Sequence, residues 1–173
     1  DMVTHAQTTQ KVLNKITKTL EVLAKNDKVC QLIQTIPGLG TICSCRLRAT
    51  IGDIKRFKNP KDFPAYYGLV PRSIATGHNE KKGKITHRGD RTMRSLMVQG
   101  AGCVIRLATC GKLKSKQLTK WILKKQKEKM PWGKLVCAVA AKLLRIVRAI
   151  LISSKPYNPK IAGVAKCSLS KGS

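Results

Sequence analysis

Between Pro71 and Arg94 the chain reads PRSIATGHNEKKGKITHRGDRTMR, and almost every side-chain type that bonds a phosphate is present in it. Ser73 and Thr76 supply hydroxyls. Arg72, Lys81, Lys82, Lys84, His87, Arg88, Arg91 and Arg94 supply donors for charge-assisted hydrogen bonds to phosphate oxygens. A second feature of this kind lies upstream, in LIQTIPGLGTICSCRL. There Gly38 and Gly40 clear side chains from a turn between two helices, so that backbone N–H groups and the following helix N-terminus can address one phosphate oxygen without reading a base. The competing reading is that Pro37-Gly38 merely turns one core helix into the next. For any single lysine of the first stretch, solvation of an exposed face competes in the same way. His78 and His87 could exchange protons, although an ordinary hydrogen bond is a simpler role for either.

The whole chain supports a polyanionic partner. Thirty-five Lys and Arg against eight Asp and Glu give a formal net charge of +27 over 173 residues, an excess that repels itself unless an opposite charge neutralises it. Nucleic acid is the expected partner. A membrane is not, because the most apolar stretch, Leu135 to Ile152, is broken by Lys142, Arg145 and Arg148. The acids Asp53, Asp62, Glu80 and Asp90 are scattered, and three of them sit near expected helix termini. A two-metal site needs convergent carboxylates, so no metal or cofactor site is expected in this chain. The seven cysteines (Cys30, Cys43, Cys45, Cys103, Cys110, Cys137, Cys167) include no C-x-x-C pair and read as small core residues in a reducing compartment. No leader-like segment opens the chain, and its start at Asp1 suggests a fragment.

These residues must be carried by helices. Apolar positions three or four apart (Val12, Leu13, Ile16, Leu20, Leu23) predict an amphipathic helix from Thr8 to Lys25. A short helix follows from about Asp27 to Thr35, and a third carries Ile42, Cys45, Leu47 and Ala49 to Gly52, which together frame a helix-hairpin-helix over about 27–52. NPKDFPAYYGL reads as a short helix with Asn59 as its cap and Pro60 in its first turn. A loop over about 70–90 follows, with a short hairpin through GKIT. A long helix spans Asp90 to Thr109, where Gly100 and Gly102 admit a close neighbour. A basic helix spans Lys114 to Lys129, and Trp132 opens the last helix, with Leu135, Val139, Leu143, Ile146, Val147 and Ile150 on one face. Trp121 and Trp132 could stack on bases, but aromatics of amphipathic helices are expected in the core, and with so few aromatics no single-strand platform is expected. The fold class is therefore all-α, one compact domain over 1–155, with 156–173 a mobile tail.

The ordered motifs over Leu32 to Ala101 (IPGLG, IGD, F, AYYGLVP, the loop ATGHNEKKGKIT, HRGD, MRSLMVQGA) resemble the C-terminal domain of bacterial insertion-sequence transposases of the IS-one-ten family, especially its IS-eleven-eleven branch. AKLLRIVRAILISSKPYNP resembles that family's closing motif. Several motifs in order and at the right spacing are far more specific than any one alone.

The resemblance implies a DNA recombinase. Its N-terminal RuvC-like domain would hold Mg2+ on four carboxylates, and this C-terminal domain would bring a nucleophilic serine on the loop. A bridge RNA would guide the choice of DNA, several copies would assemble the active sites, and the setting would be the bacterial cytoplasm at the nucleoid. This sequence departs from the pattern at the decisive place: Thr76 stands before Gly77 where the family has serine, and His78-Asn79 replaces Gly-Lys. A β-branched hydroxyl is stiffer and more crowded than serine. Ser73 lies three residues too early and would require a shifted loop. Arg88 and Arg94 are the preferred phosphate contacts, because the family keeps basic residues at both positions. The alternative reading is a non-catalytic helix-hairpin-helix protein that binds DNA or RNA through its backbone, or a decayed remnant; a ribosomal type of RNA binder would explain the charge but not the motifs.

Overall fold

The structure is a computed structural model that describes residues 2–76, 79–86 and 88–160. Seven α-helices and one two-stranded hairpin make up the described chain: α1 Met2–Asn26, α2 Lys28–Gln34, α3 Thr41–Ile51, α4 Asp62–Tyr66, β1 Pro71–Thr76, β2 Asn79–Ile85, α5 Arg91–Thr109, α6 Lys116–Lys127 and α7 Trp132–Ser153, with a 3-10 turn at Ile54–Arg56. The fold is all-helical apart from the hairpin.

Helices α5 and α7 form the centre, with α2, α3, α4 and α6 packed around them. Met93, Met97, Val104 and Ile105 of α5 meet Leu135, Val139, Leu143 and Val147 of α7, and Ile33, Leu47, Leu118 and Ile122 close the sides. Each of these side chains, fully withdrawn from water, contributes about 1.5–3 kcal/mol. The expected face of α7 is buried at every named position. Helix boundaries follow their caps. Asp27 accepts from Val29 N and Cys30 N, Asp90 from Thr92 N and Met93 N, and Ser115 from Leu118 N; each satisfies N–H groups that a helix start leaves unpaired.

An aromatic block sits between α3 and the root of the hairpin. Phe57, Phe63, Tyr66 and Tyr67 stack edge-to-face with centroids 4.9–5.5 Å apart, and the Arg56 guanidinium lies 4.6 Å from the Phe57 ring centre and 4.8 Å from that of Tyr66. Arg148 of α7 clamps the block by donating through Nε to Phe57 O at 2.8 Å and through Nη2 to Lys58 O at 2.7 Å.

Several expectations are corrected. The helix expected to be capped by Asn59 begins at Asp62, because the Asp62 carboxylate folds back to accept from Asn59 N at 3.0 Å and closes a turn first. Helix α3 buries Cys43, Ser44, Leu47 and Ile51, so of the expected positions Leu47 is buried and Cys45 half-buried, whereas Ile42 and Ala49 are exposed. Gly100 does admit a neighbour, whereas the space beside Gly102 is open. Cys103 and Cys110 are exposed rather than in the core. Trp132 is 53% exposed, while Trp121 is half-buried under Lys142. The first helix starts at Met2 and docks only near its C-terminal end, where Ala24 is buried; Val12, Leu13 and Ile16 remain open to solvent.

Within the segment expected as a mobile tail, residues 156–160 are tied to the body. Tyr157 N donates to Thr35 Oγ1 at 2.9 Å, and Ser115 Oγ donates to Pro159 O at 3.0 Å. The remainder of that segment, 161–173, lies outside the described residues.

Candidate nucleic-acid interface

The stretch expected as a loop is mostly an antiparallel hairpin, longer than the one expected through GKIT. Thr76 pairs with Asn79, Ala75 with Glu80, Ile74 with Lys81, Ser73 with Lys82 and Pro71 with Ile85. Between the last two pairs β1 advances by two residues and β2 by three, so β2 carries one extra residue in the stretch 83–84, opposite Arg72. Such a bulge bends the ribbon and raises its twist. Thr76, Arg72 and Ser73 thus lie on β1, and Lys81, Lys82 and Lys84 on β2, with Thr76 and Asn79 the last described pair. Gly77, His78 and His87 lie outside the described residues.

The hairpin leaves the helical body through a narrow neck, and the neck is built from glycine. Gly68 has φ +68° and Gly89 has φ +85°. A Cβ on Gly68 would stand 2.2 Å from Arg88 O, and one on Gly89 would stand 2.1 Å from Tyr66 O. Both positions therefore require left-handed backbone and bare contact between two chain segments. Arg94, in the first turn of α5, fastens the crossing: its Nη1 donates to Tyr67 O at 3.2 Å and to Arg88 O at 3.1 Å. Thr86 N donates to Val70 O at 3.2 Å and extends the ladder into the neck. Arg94 is thus a half-buried strut with part of its guanidinium already committed, while Arg88 and Arg91 are exposed.

The second candidate element is coupled to the same root. Arg46 of α3 grips Asp90 with a two-pronged ion pair, Nε to Oδ2 at 2.9 Å and Nη2 to Oδ1 at 3.0 Å. Burial opposes the charge on Asp90, but the Met93 and Thr92 N–H groups and the Arg46 guanidinium outweigh it and pull the carboxyl below its ordinary value. Asp27 is held down likewise: against burial, Arg48 and the N–H groups of Val29 and Cys30 favour its charged form. Tyr67, fully buried at the neck, shares a 2.8 Å hydrogen bond with Thr50 Oγ1 of α3, and burial raises its phenol pKa.

In the α2–α3 turn the two glycines have different jobs. Gly38 has φ +82° and lies against α5, where an added Cβ would fall 2.6 Å from Gly100 O and 2.6 Å from Val104 Cγ2. Close helix packing alone accounts for this residue. Gly40 caps α3, is exposed, and has nothing within 4 Å of an added Cβ. Its turn is the part of the helix pair that an anion can reach through backbone N–H groups. Gly100 and Arg94 are six residues apart on α5, roughly 9 Å along its axis, so one helix supports both the turn and the hairpin neck.

Asp53, Asp62 and Asp90 each bond a backbone N–H at the start of a turn or helix, and among the described residues no three His, Cys, Asp or Glu converge as a metal site would require. Sequence reasoning missed Arg46, Arg56 and Arg148. Each is one basic residue among many, and each has a partner distant in sequence, Asp90 for Arg46, Tyr66 for Arg56, and Phe57 and Lys58 for Arg148, so only the fold singles it out.

A family profile described as "Transposase IS116/IS110/IS902 family" matches residues 30–116, half of the chain. The sequence is similar to a probable family 20 transposase of Pseudomonas aeruginosa, 29% identical over 88% of this chain and 44% of that protein. It is 32% identical to the transposase for insertion sequence element IS1111A of Coxiella burnetii over 80% of this chain and 37% of the relative. To the transposase for IS1328 of Yersinia enterocolitica it is 34% identical over 78% of this chain and 39% of the relative. The chain therefore spans less than half the length of these relatives, and the matched region holds the turn, the neck and the hairpin together: this chain belongs to the IS116/IS110/IS902 transposase family.

Proposed function

We propose that this chain is the phosphate-engaging, C-terminal part of a transposase that moves an insertion sequence, and that its hairpin brings Thr76 to a DNA backbone phosphate. The observation that carries the reading is the family match over residues 30–116, which includes every candidate contact from Gly38 to Arg94. The neck supports it, because a ribbon gripped at its root by Gly68, Gly89 and Arg94 is a rigid mount for a reacting group.

In this reading the Thr76 oxygen forms a bond to phosphorus, the bond from phosphorus to the 3′ oxygen breaks, the threonine proton is lost and the departing oxygen gains one. Lysines and arginines of the hairpin and neck balance phosphate charge, and the α2–α3 turn holds a neighbouring phosphate through its backbone. Asp27, Asp53, Asp62, Asp90 and Glu128 are occupied as caps or ion-pair partners. In the same reading the full-length protein also carries a metal-bearing acidic domain with Mg2+, binds a guide RNA and assembles with further copies. The companion reading is a domain of the same family that binds nucleic acid without cleaving it. Thr76, His78 and Asn79, which depart from the usual loop, favour that reading.

Recombination by the full-length protein separates the two. Thr76→Ser is expected to raise it and Thr76→Ala to abolish it, with DNA binding kept in both variants. A Thr76→Ala protein that recombines like the parent removes Thr76 from the chemistry.

A further inference from the structure

Helix α6 and the start of α7 carry a surface that the hairpin reading leaves unused. Residues 112–134 contain nine lysines and one acid, Glu128, which Lys125 already holds at 2.7 Å. Helix α6 buries Leu118 and Ile122. At about 3.6 residues per turn, Lys116, Lys120 and Lys127 fall on the opposite side with Lys124 beside them, and all four are exposed. They form a row of cations roughly 16 Å long.

At the end of that row stands Trp132. It is the first residue of α7, five positions after Lys127, with the exposed Lys129 and Lys134 on either side in sequence. The buried stripe of α7 runs through Leu135, Val136, Val139 and Leu143. Trp132 lies one turn ahead on the same stripe, and more than half of it faces solvent. The contrast with Trp121 is instructive. That ring is half-buried and has Lys142 Nζ 4.6 Å from its centre, whereas among the described residues no aromatic or cationic group is stacked on Trp132.

We infer that this surface docks a segment of single-stranded DNA, its phosphates along the α6 lysines and a base stacked on the Trp132 indole. A duplex satisfies a lysine row but keeps its base faces inside the stack. A single strand offers phosphates and an open base face together, and stacking on an aromatic ring tolerates any base. Cleaved or unpaired strands arise during DNA transposition, so the inference rests on the function proposed above while using none of the hairpin residues.

The test is binding of the whole chain to an oligo-dT strand of about 15 nucleotides and to a duplex of equal length, read by fluorescence anisotropy. Trp132→Ala is expected to weaken binding of the single strand by about 5- to 150-fold, Trp132→Phe to restore most of it, and both to leave duplex affinity within twofold. The double variant Lys116→Glu, Lys120→Glu weakens binding of the single strand and lowers the magnitude of its salt slope by an amount on the order of two contacts. Single-strand affinity unchanged in Trp132→Ala, or duplex affinity reduced equally, overturns the inference, as does an oligo-U strand bound more than tenfold tighter than oligo-dT. If the parent chain binds no DNA, the proposed function falls with it. If duplex binding persists and the single strand ignores Trp132, only this inference falls.

Discussion

Replacing Gly89 with alanine strikes the hairpin neck at its narrowest point. The backbone there has φ +85°, and the new methyl would sit 2.1 Å from the carbonyl oxygen of Tyr66, 3.2 Å from its carbon and 3.4 Å from the Tyr67 Cα. Left-handed backbone costs a residue with a side chain about 1–2 kcal/mol. Forcing two backbone segments apart adds a strain of about 1–3 kcal/mol, since no flexible side chain is there to yield. The sum is a loss of about 2–5 kcal/mol, or roughly 4–20 °C in Tm for a chain of this size. Urea unfolding should show a lower midpoint with an unchanged slope, and the Thr86 amide, which donates to Val70 O across the neck, should lose hydrogen-exchange protection. Gly102→Ala is the matched control: it lies inside α5 with nothing within 4 Å of the new methyl, and should gain about 0.5–1 kcal/mol. If Gly89→Ala unfolds within about 0.5 kcal/mol of the parent while Gly102→Ala behaves as stated, the neck is not the crossing described.

Acid titration of stability tests the link between α3 and the hairpin root. Asp90 has its pKa lowered from an ordinary 3.8, so its contribution is complete above that value and is lost as pH falls through the lower folded value. Asp90→Asn keeps a good cap but loses the charge; it should cost about 0.5–1 kcal/mol at neutral pH and flatten the acid limb, and a variant with the parent's acid limb refutes the assignment. Binding of duplex DNA should fall steeply with salt, with a log–log slope of about −4 or steeper if five or more phosphates are neutralised at about −0.9 each. An affinity that is flat from low to physiological salt contradicts a basic, backbone-directed interface.

Much of the helical frame was legible because periodicity and caps act locally. The α7 stripe and the Asp90 cap could be read from residues within a few positions of one another. Local pattern failed where the deciding partner was distant. Asn59 lost its capping role to Asp62, Ile42 turned outward because α3 packs along Cys43, Leu47 and Ile51, and Trp132 is exposed although it shares the α7 stripe. At the candidate site the basic residues and glycines were visible as types. The division of labour among them was not: Gly38 packs against Gly100 while Gly40 stays open, and Arg94 spends donors on Tyr67 O and Arg88 O, 27 and 6 residues away. The exposed face of α1, with Leu13 and Ile16 each 52% open, shows the same limit, since amphipathic spacing reveals a face but not what it meets.

The proposed function has a hydroxyl at the end of β1 joining itself to DNA. The most direct measurement is to trap the full-length protein on substrate DNA, digest the complex and locate the nucleotide adduct by mass spectrometry. The expected result is an adduct on Thr76, absent from Thr76→Ala; an adduct on Ser73 or on any other residue, or recombination that proceeds without a covalent protein–DNA species, refutes a nucleophilic Thr76.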